Sequence, residues 1–179
     1  MIDSRSVTVI AMILAAALSR LVPHPPNLTS VAAMALFGGA YLADKRLAFL
    51  VPLGALFLGD LILGSYQHME VVYASFALIV CIGLWLRQRP TIFRVAGAAL
   101  AGSVLFFLIT NFGVWCFQSL YPHTLDGLIA CYAAAIPFFR NTLLGDLLYA
   151  AVLFGGFALL EMRFSTLRAP ATPAHALNA

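Results

Sequence analysis

Apolar and polar residues fall along the chain in long blocks rather than at the short periods of a soluble helix or strand. Apolar runs occupy Ser6 to Val22, Leu28 to Leu42, Leu47 to Leu63, Val71 to Leu86, Phe93 to Phe117 and Thr142 to Met162. Short polar or proline-rich stretches separate them: Pro23-His24-Pro25-Pro26-Asn27, Asp44-Lys45-Arg46, Gly64 to Glu70, and Arg87-Gln88-Arg89-Pro90. A helix crosses the hydrocarbon core with about 20 apolar residues, so the pattern predicts six transmembrane helices. The prolines after the first run stop a helix, and Asn27 stands where it can cap the second.

Between Gln118 and Asn141 the pattern is less regular. Tyr121-Pro122-His123-Thr124 reads as a turn, and Leu125 to Ile136 is apolar but too short to span, with Pro137 interrupting it. This stretch predicts a short re-entrant or interfacial helix packed before the last span. The expected fold is therefore an all-α membrane protein, a six-transmembrane-helix bundle forming a single domain over residues 1–166. Residues 167–179, rich in Ala and Pro, are expected to form a disordered cytoplasmic tail. The first run has some look of a signal peptide in Ala15-Ala16-Ala17, but Asp3 beside Arg5 weakens its positive start and favours a retained helix.

Composition supports the membrane class. The 179 residues are 63% hydrophobic and 9% charged, with mean hydropathy +0.97. That is too little charge to cover a water-soluble surface. Six spans also leave no room for a separate soluble domain. The net charge of +3 is no sign of a nucleic-acid partner, and the placement of the basic residues says more. With the N-terminus in the cytoplasm, Arg5, Lys45, Arg46, Arg87, Arg89, Arg94, Arg163 and Arg168 lie inside, and Arg20 and Arg140 outside. The positive-inside rule then sets both termini in the cytoplasm.

This orientation gathers the chemically varied residues at the outer mouth. His24, His68 and His123 fall one in each outward loop. Asp60 lies near the outer end of span three, Asn111 and Trp115 near that of span five, and Arg140, Asn141 and Asp146 at the outer start of span six. An ionised carboxylate at membrane depth is costly unless paired or hydrated, so Asp60 and Asp146 are candidates to meet a substrate, to pair with Arg140, or simply to reach water. The guanidinium of Arg140 suits a ligand carboxylate or phosphate, or a structural partner. Arg20 is expected to snorkel to the interface. Tyr66 and Trp115, with Tyr73, Phe117, Tyr121 and Tyr132, suit either stacking on a flat ligand or an interfacial belt. The three histidines suggest a shared metal site, since imidazole is a common ligand, but their spacing forms no local motif; each is otherwise a hydrogen-bonding group for an organic ligand or an ordinary loop residue.

Cys116 and Cys131 share the outer side and admit a disulfide, a thiolate ligand, or burial as small apolar residues. No CxxC pair occurs. Lys45, the only lysine, lies in no phosphate-binding loop, and HExxH and GxSxG are absent. No covalent catalysis, resident cofactor or metal is expected. Ala11, Ala15 and Ser19 form a small-residue face on span one, suited to close helix approach. Leu58-Gly59-Asp60-Leu61 and Leu144-Gly145-Asp146-Leu147 echo each other, as inverted repeats of transporters or chance in an apolar alphabet would.

Five segments carry a resemblance: Pro23-His24-Pro25-Pro26-Asn27, Ala35-Leu36-Phe37-Gly38-Gly39, Asp60-Leu61-Ile62-Leu63-Gly64, Thr110-Asn111-Phe112-Gly113-Val114-Trp115, and Phe138 to Asp146. Through them the chain resembles the substrate-binding (S) components of energy-coupling-factor vitamin transporters, and a family of uncharacterised bacterial transport proteins of that type. The resemblance implies a micronutrient, usually a vitamin, bound at the outer side by the helices and the loops that hold His24, His68 and His123. It implies delivery by toppling in the bacterial plasma (inner) membrane, usually docked through Ala11, Ala15 and Ser19 on a transmembrane coupling subunit with two ATPases. Solitary cobalamin-specific members work without that module, which puts cobalamin first among expected substrates. Met1-Ile2-Asp3 departs from the Met-x-His start of nickel and cobalt components, and the third loop has no cysteine to ligate cobalt. The competing expectations are a membrane enzyme with His24 or His123 as base, and an accessory subunit of a membrane complex.

Overall fold

The computed structural model describes residues 3–87 and 89–168, and these contain helices and turns but no strand. Helix α1 spans Ser4–Leu18, α2 Val31–Tyr41, α3 Lys45–Leu63, α4 Met69–Leu86, α5 Ile92–Phe117, α6 Leu125–Ala150 and α7 Gly156–Arg163. Five helical stretches are long and apolar enough to cross a membrane, and α2 is a shorter apolar helix. The protein is an all-α membrane bundle of these six apolar segments.

Side chains from the flanking turns start four of the helices. Asp3 accepts from the Ser6 amide at 2.9 Å, Asp44 from that of Arg46 at 2.7 Å, Thr91 from that of Arg94 at 3.4 Å and Thr124 from that of Gly127 at 3.2 Å. Each satisfies an amide that has no partner within its own helix.

The second segment differs from the expected span. A single turn of 3₁₀-helix, Ser19–Leu21, ends α1, and the proline-rich stretch from Val22 to Ser30 is not helical. Asn27 stands in the left-handed region with φ 64°, so it shapes the turn rather than capping α2. What remains helical is the 11 residues of α2, about 16 Å long at 1.5 Å per residue. That is roughly half the hydrocarbon core of about 30 Å. Every residue from Val31 to Ala40 is buried, as expected of a helix apolar on all sides. Helix α2 is the hub of the bundle, packed against α1, α3, α4, α5 and α6.

Two glycines allow its closest approach. A Cβ added to Gly39 would lie 2.5 Å from the Val80 carbonyl oxygen, and one on Gly83 would overlap the carbonyl oxygen of Leu36. The backbones of α2 and α4 therefore touch without intervening side chains, the geometry that small residues permit between membrane helices. Arg87, at the end of α4, closes the same contact. Its Nε donates to the Gly39 carbonyl at 2.8 Å and one Nη to that of Ala43 at 3.1 Å, while the other Nη donates to that of Leu42. These are carbonyls at or just past the last turn of α2, which otherwise lack donors.

The last third of the chain corrects the expected re-entrant helix. Helix α6 runs unbroken through Pro137 and passes through one π-helical turn, Ala151–Gly155, into α7. The 39 residues from Leu125 to Arg163 thus form one apolar stretch. Proline removes one helix amide, and transmembrane helices absorb that loss where neighbours and local adjustments re-satisfy the freed carbonyl. Pairing with α5 accounts for the extension: Tyr132 donates to the Leu108 carbonyl at 2.7 Å, Cys131 contacts that of Asn111 at 3.4 Å, and Phe107 packs on Phe139 at 4.9 Å between ring centroids.

One end of the bundle is closed by aromatic and charged side chains. Phe37 meets Tyr41, Phe154 and Phe157 at centroid distances of 5.0, 5.3 and 5.7 Å. Arg5 lies over the rings of Tyr41 and Phe157 and pairs with Glu161 at 2.5 Å. It also donates to the Leu167 carbonyl, and Leu167 is buried. Ordered packing thus reaches the start of the expected tail, whose residues 169–179 lie outside the described ones.

Candidate binding site

At the opposite end, the non-helical stretch before α2 descends into the bundle. A Cβ on Gly145 of α6 would stand 3.1 Å from the Thr29 amide nitrogen, so irregular backbone lies directly on the inner face of α6. Ser103, whose hydroxyl bonds the next residue on that face, is mid-way along α5, about 17 Å from its start and about 21 Å from its end. Irregular backbone at such depth is tolerated where it is buried in protein or lines a cavity. A cavity is present here, with a volume of about 250 Å³, lined by residues of α3, α4, α5 and α6 together with Arg20, Asn27, Thr29, Val31, Ala32 and Tyr66. Two neighbours in the wall share residues with it: a smaller recess of about 100 Å³ through Asn27, Phe106 and Thr142, and a larger, open one of about 440 Å³ through Tyr66 and Val72.

The polar wall has two unlike parts. In the first, Arg20 donates to Asp60 at 2.8 Å and to the Leu56 carbonyl at 3.2 Å. The other oxygen of Asp60 accepts from Tyr73 at 2.8 Å and from Tyr66 at 3.4 Å. The carboxylate is 3% exposed and its charge is matched. Burial and the negative charge of Asp60 push the Tyr66 hydroxyl up to about 12, which keeps it a donor. In the second part, Asp146, also 3% exposed, has one oxygen bonded by Ser103 at 2.6 Å. Among the described residues no basic side chain pairs with it.

Of the candidates read from the sequence, Asn27, Tyr66 and Asp146 line the main cavity, and Asp60 is bonded to its wall. Asn111 lines the small recess, its amide committed to the Phe107 carbonyl at 2.7 Å. His68 lines the open one, stacked on Phe117 at 5.2 Å and bonded to Glu70 at 3.1 Å. Trp115 donates to the Pro122 carbonyl at 2.9 Å and packs against His123 at 5.5 Å. His24 is exposed, its ring against the Pro25 carbonyl at 3.0 Å. Asn141 ties α6 to the loop by donating to the Pro26 carbonyl at 2.9 Å. The three histidines are not brought together, and no cluster of three or more metal-ligating side chains occurs among the described residues.

Two expectations are corrected. Asp60 pairs with Arg20 and not with Arg140, which is exposed and in no ion pair among the described residues. Arg20 accordingly turns inward instead of snorkelling, because a buried carboxylate at its own depth offers a stronger partner than the interface does. Arg20 sits at the same end of the bundle as Asp60, and that shared depth was the one signal for the pair. Ser103, Thr29 and Thr142 carried no signal, since a hydroxyl in an apolar run usually bonds its own helix. On α1, Ala11 and Ala15 are exposed, while Ser19 turns inward to the Ala16 carbonyl at 2.6 Å and Ser30 at 3.4 Å. Cys81, Cys116 and Cys131 are free thiols.

The match to known sequences covers almost the entire chain. The protein belongs to a family of unknown function, DUF6580, which matches residues 1–171. No curated protein and no solved structure matches it. The family match includes every helix and every residue of the cavity wall, so the interrupted second segment and the two carboxylates lie within the shared region.

Proposed function

We propose that this protein is a membrane uptake protein that captures a small micronutrient in the cavity beside Thr29 and Asp146 and delivers it inward. The observation supporting this most directly is the half-helix α2, whose first turn opens on a polar cavity at mid-bundle depth. Discontinuous helices whose free amides face a cavity near the bilayer midplane are how transporters build polar sites without exposing backbone to lipid. The basic residues of the turns at the other end favour a bacterial plasma membrane orientation with both termini cytoplasmic and the cavity end outside.

In this reading the protein acts as an energy-coupling-factor S component or as a solitary relative. Energy would come from a transmembrane coupling subunit with two ATPases, or from the gradient of the solute itself. The exposed Ala11 and Ala15 face of α1 suits such a subunit; Ser19 is already engaged within the fold. The cavity volume, about 250 Å³, is at or below the low end for drug-sized ligands. It suits a one- or two-ring vitamin. A corrinoid, several times bulkier, would require the main cavity and the open recess beside Tyr66 to merge.

The test is to purify the protein in mild detergent from cells grown with mixed vitamins, and to identify co-purified small molecules by mass spectrometry and absorbance. One stoichiometric micronutrient is the expected result, and a corrinoid spectrum would show that the mouth opens. Protein that carries nothing and binds no member of a vitamin panel would overturn the proposal.

A further inference from the structure

Resting on the uptake reading, we infer that the cavity selects a ligand bearing a protonated nitrogen, which ion-pairs with Asp146. The inference follows from the charges around the cavity. Arg20 and Asp60 cancel each other at 2.8 Å, and both Asp60 oxygens are occupied by Arg20, Tyr73 and Tyr66. The first-turn amides of α2 contribute a partial positive charge, about half a unit. Asp146 accepts one hydrogen bond, from Ser103 to a single oxygen, and would bring a full negative charge to the cavity when a cation keeps it ionised. Its second oxygen accepts from no described residue, although the side chain is almost wholly buried and lines the cavity.

The remaining charged side chains at this end do not offset it. His68 and Glu70 pair with each other in the outer loop, and Arg140 is exposed. A carboxylate at this depth is costly unless compensated, and among the described residues no cation compensates this one. A ligand ammonium, amidinium or protonated ring nitrogen would supply the missing charge and donate to the free oxygen, a charge-assisted bond of the stronger class. Phe76 and Phe106 line the same cavity, stacked at 5.0 Å between centroids. Their apolar faces suit the flat or aliphatic body of such a ligand and leave Asp146 as the charged recognition group.

The experiment combines two readouts on the full-length protein in detergent. The first is the chemical identity of the co-purified molecule. The second is binding, by thermal shift and calorimetry, of matched sets that differ only in charge: pyridoxamine, pyridoxine and pyridoxate, and benzamidine, benzamide and benzoate. The expected result is a co-purified molecule with a protonated nitrogen and preference for the cationic member of a set. Asp146→Asn should weaken that preference roughly 30-fold, with the larger loss falling on the cationic members. Asp146→Glu, which keeps the charge, should retain the preference and guards against loss of folding in the amide variant. A neutral or anionic co-purified ligand, or a cation preference unchanged in Asp146→Asn, would overturn the inference and leave the uptake reading standing. No co-purified molecule and no binding by any member would overturn both.

Discussion

Arg20 and Asp60 meet at 2.8 Å across the ends of α1 and α3, with their side chains 11% and 2% exposed. Together with the Arg20 bond to the Leu56 carbonyl at 3.2 Å, this pair ties the two helices at that end, beside the cavity that Arg20 and Leu56 line. Removing one partner strands the other charge. Arg20→Met is expected to cost about 3–5 kcal/mol, read as a large drop in the melting temperature of the detergent-solubilised protein. Combining it with Asp60→Asn should recover part of the loss, because the tyrosine hydroxyls can still serve an amide. An additive double mutant would show that the two residues are not coupled.

Arg87 caps the buried C-terminus of α2 through three carbonyl acceptors. Hydrogen bonds from a charged donor contribute about 1.5–3 kcal/mol each. Arg87→Ala is expected to destabilise the protein by at least one such bond, and Arg87→Lys by nearly as much, since an ammonium cannot span the fork. Thermal melts of the two variants check this. Lysine behaving as wild type would mean that charge alone matters at this position.

The contact of α2 with α4 at Gly39 and Gly83 leaves no space for a methyl group. Gly83→Ala should cost about 1–3 kcal/mol or more by overpacking, despite alanine's better helix propensity. Gly54→Ala is the internal control: a Cβ there meets nothing within 4 Å, and that variant should be neutral or slightly stabilised. Equal melting temperatures for the two alanine variants would contradict the close approach.

Because α6 continues through Pro137, that residue is not needed as a breaker. Pro137→Ala should leave the fold intact and raise stability, by up to about 3 kcal/mol. Loss of folding in this variant would indicate that the helix depends on a break at this point.

Single cysteines introduced into a cysteine-free background test the orientation. Positions in the loops at Gln67 and Ser119 should react with a membrane-impermeant maleimide on intact cells, and positions at Asp44 and Thr91 only after lysis. The reverse pattern would turn the cavity to the cytoplasm and remove the basis for uptake.

The class of the fold was legible because lipid is an undemanding solvent to read. A run of apolar residues with few charges has one stable backbone solution, the helix, and the runs of α3, α4 and α5 were recoverable almost to the residue. Two boundaries were not. The proline cluster from Pro23 to Pro26 was visible as a helix stop, but nothing local shows that the chain after it stays irregular down to Thr29. Pro137 read as a break because proline usually is one, yet α6 packs on α5 on both sides of it, through Tyr132 and Cys131 before and Phe139 after, and the helix runs through.

The sequence by itself determined that this is an all-helical membrane protein and marked Asp60 and Asp146 as costly residues. Composition and block length suffice for that, since they decide which surfaces can face lipid. Only the tertiary structure decided that Asp60 is matched by Arg20 and that Asp146 is not matched by any described cation. The reason is geometric. Whether a buried carboxylate is satisfied depends on which side chains from other helices reach within about 3 Å of it, and residues as far apart as Arg20 and Asp60, or Ser103 and Asp146, reach that distance only through the packing of the helices between them.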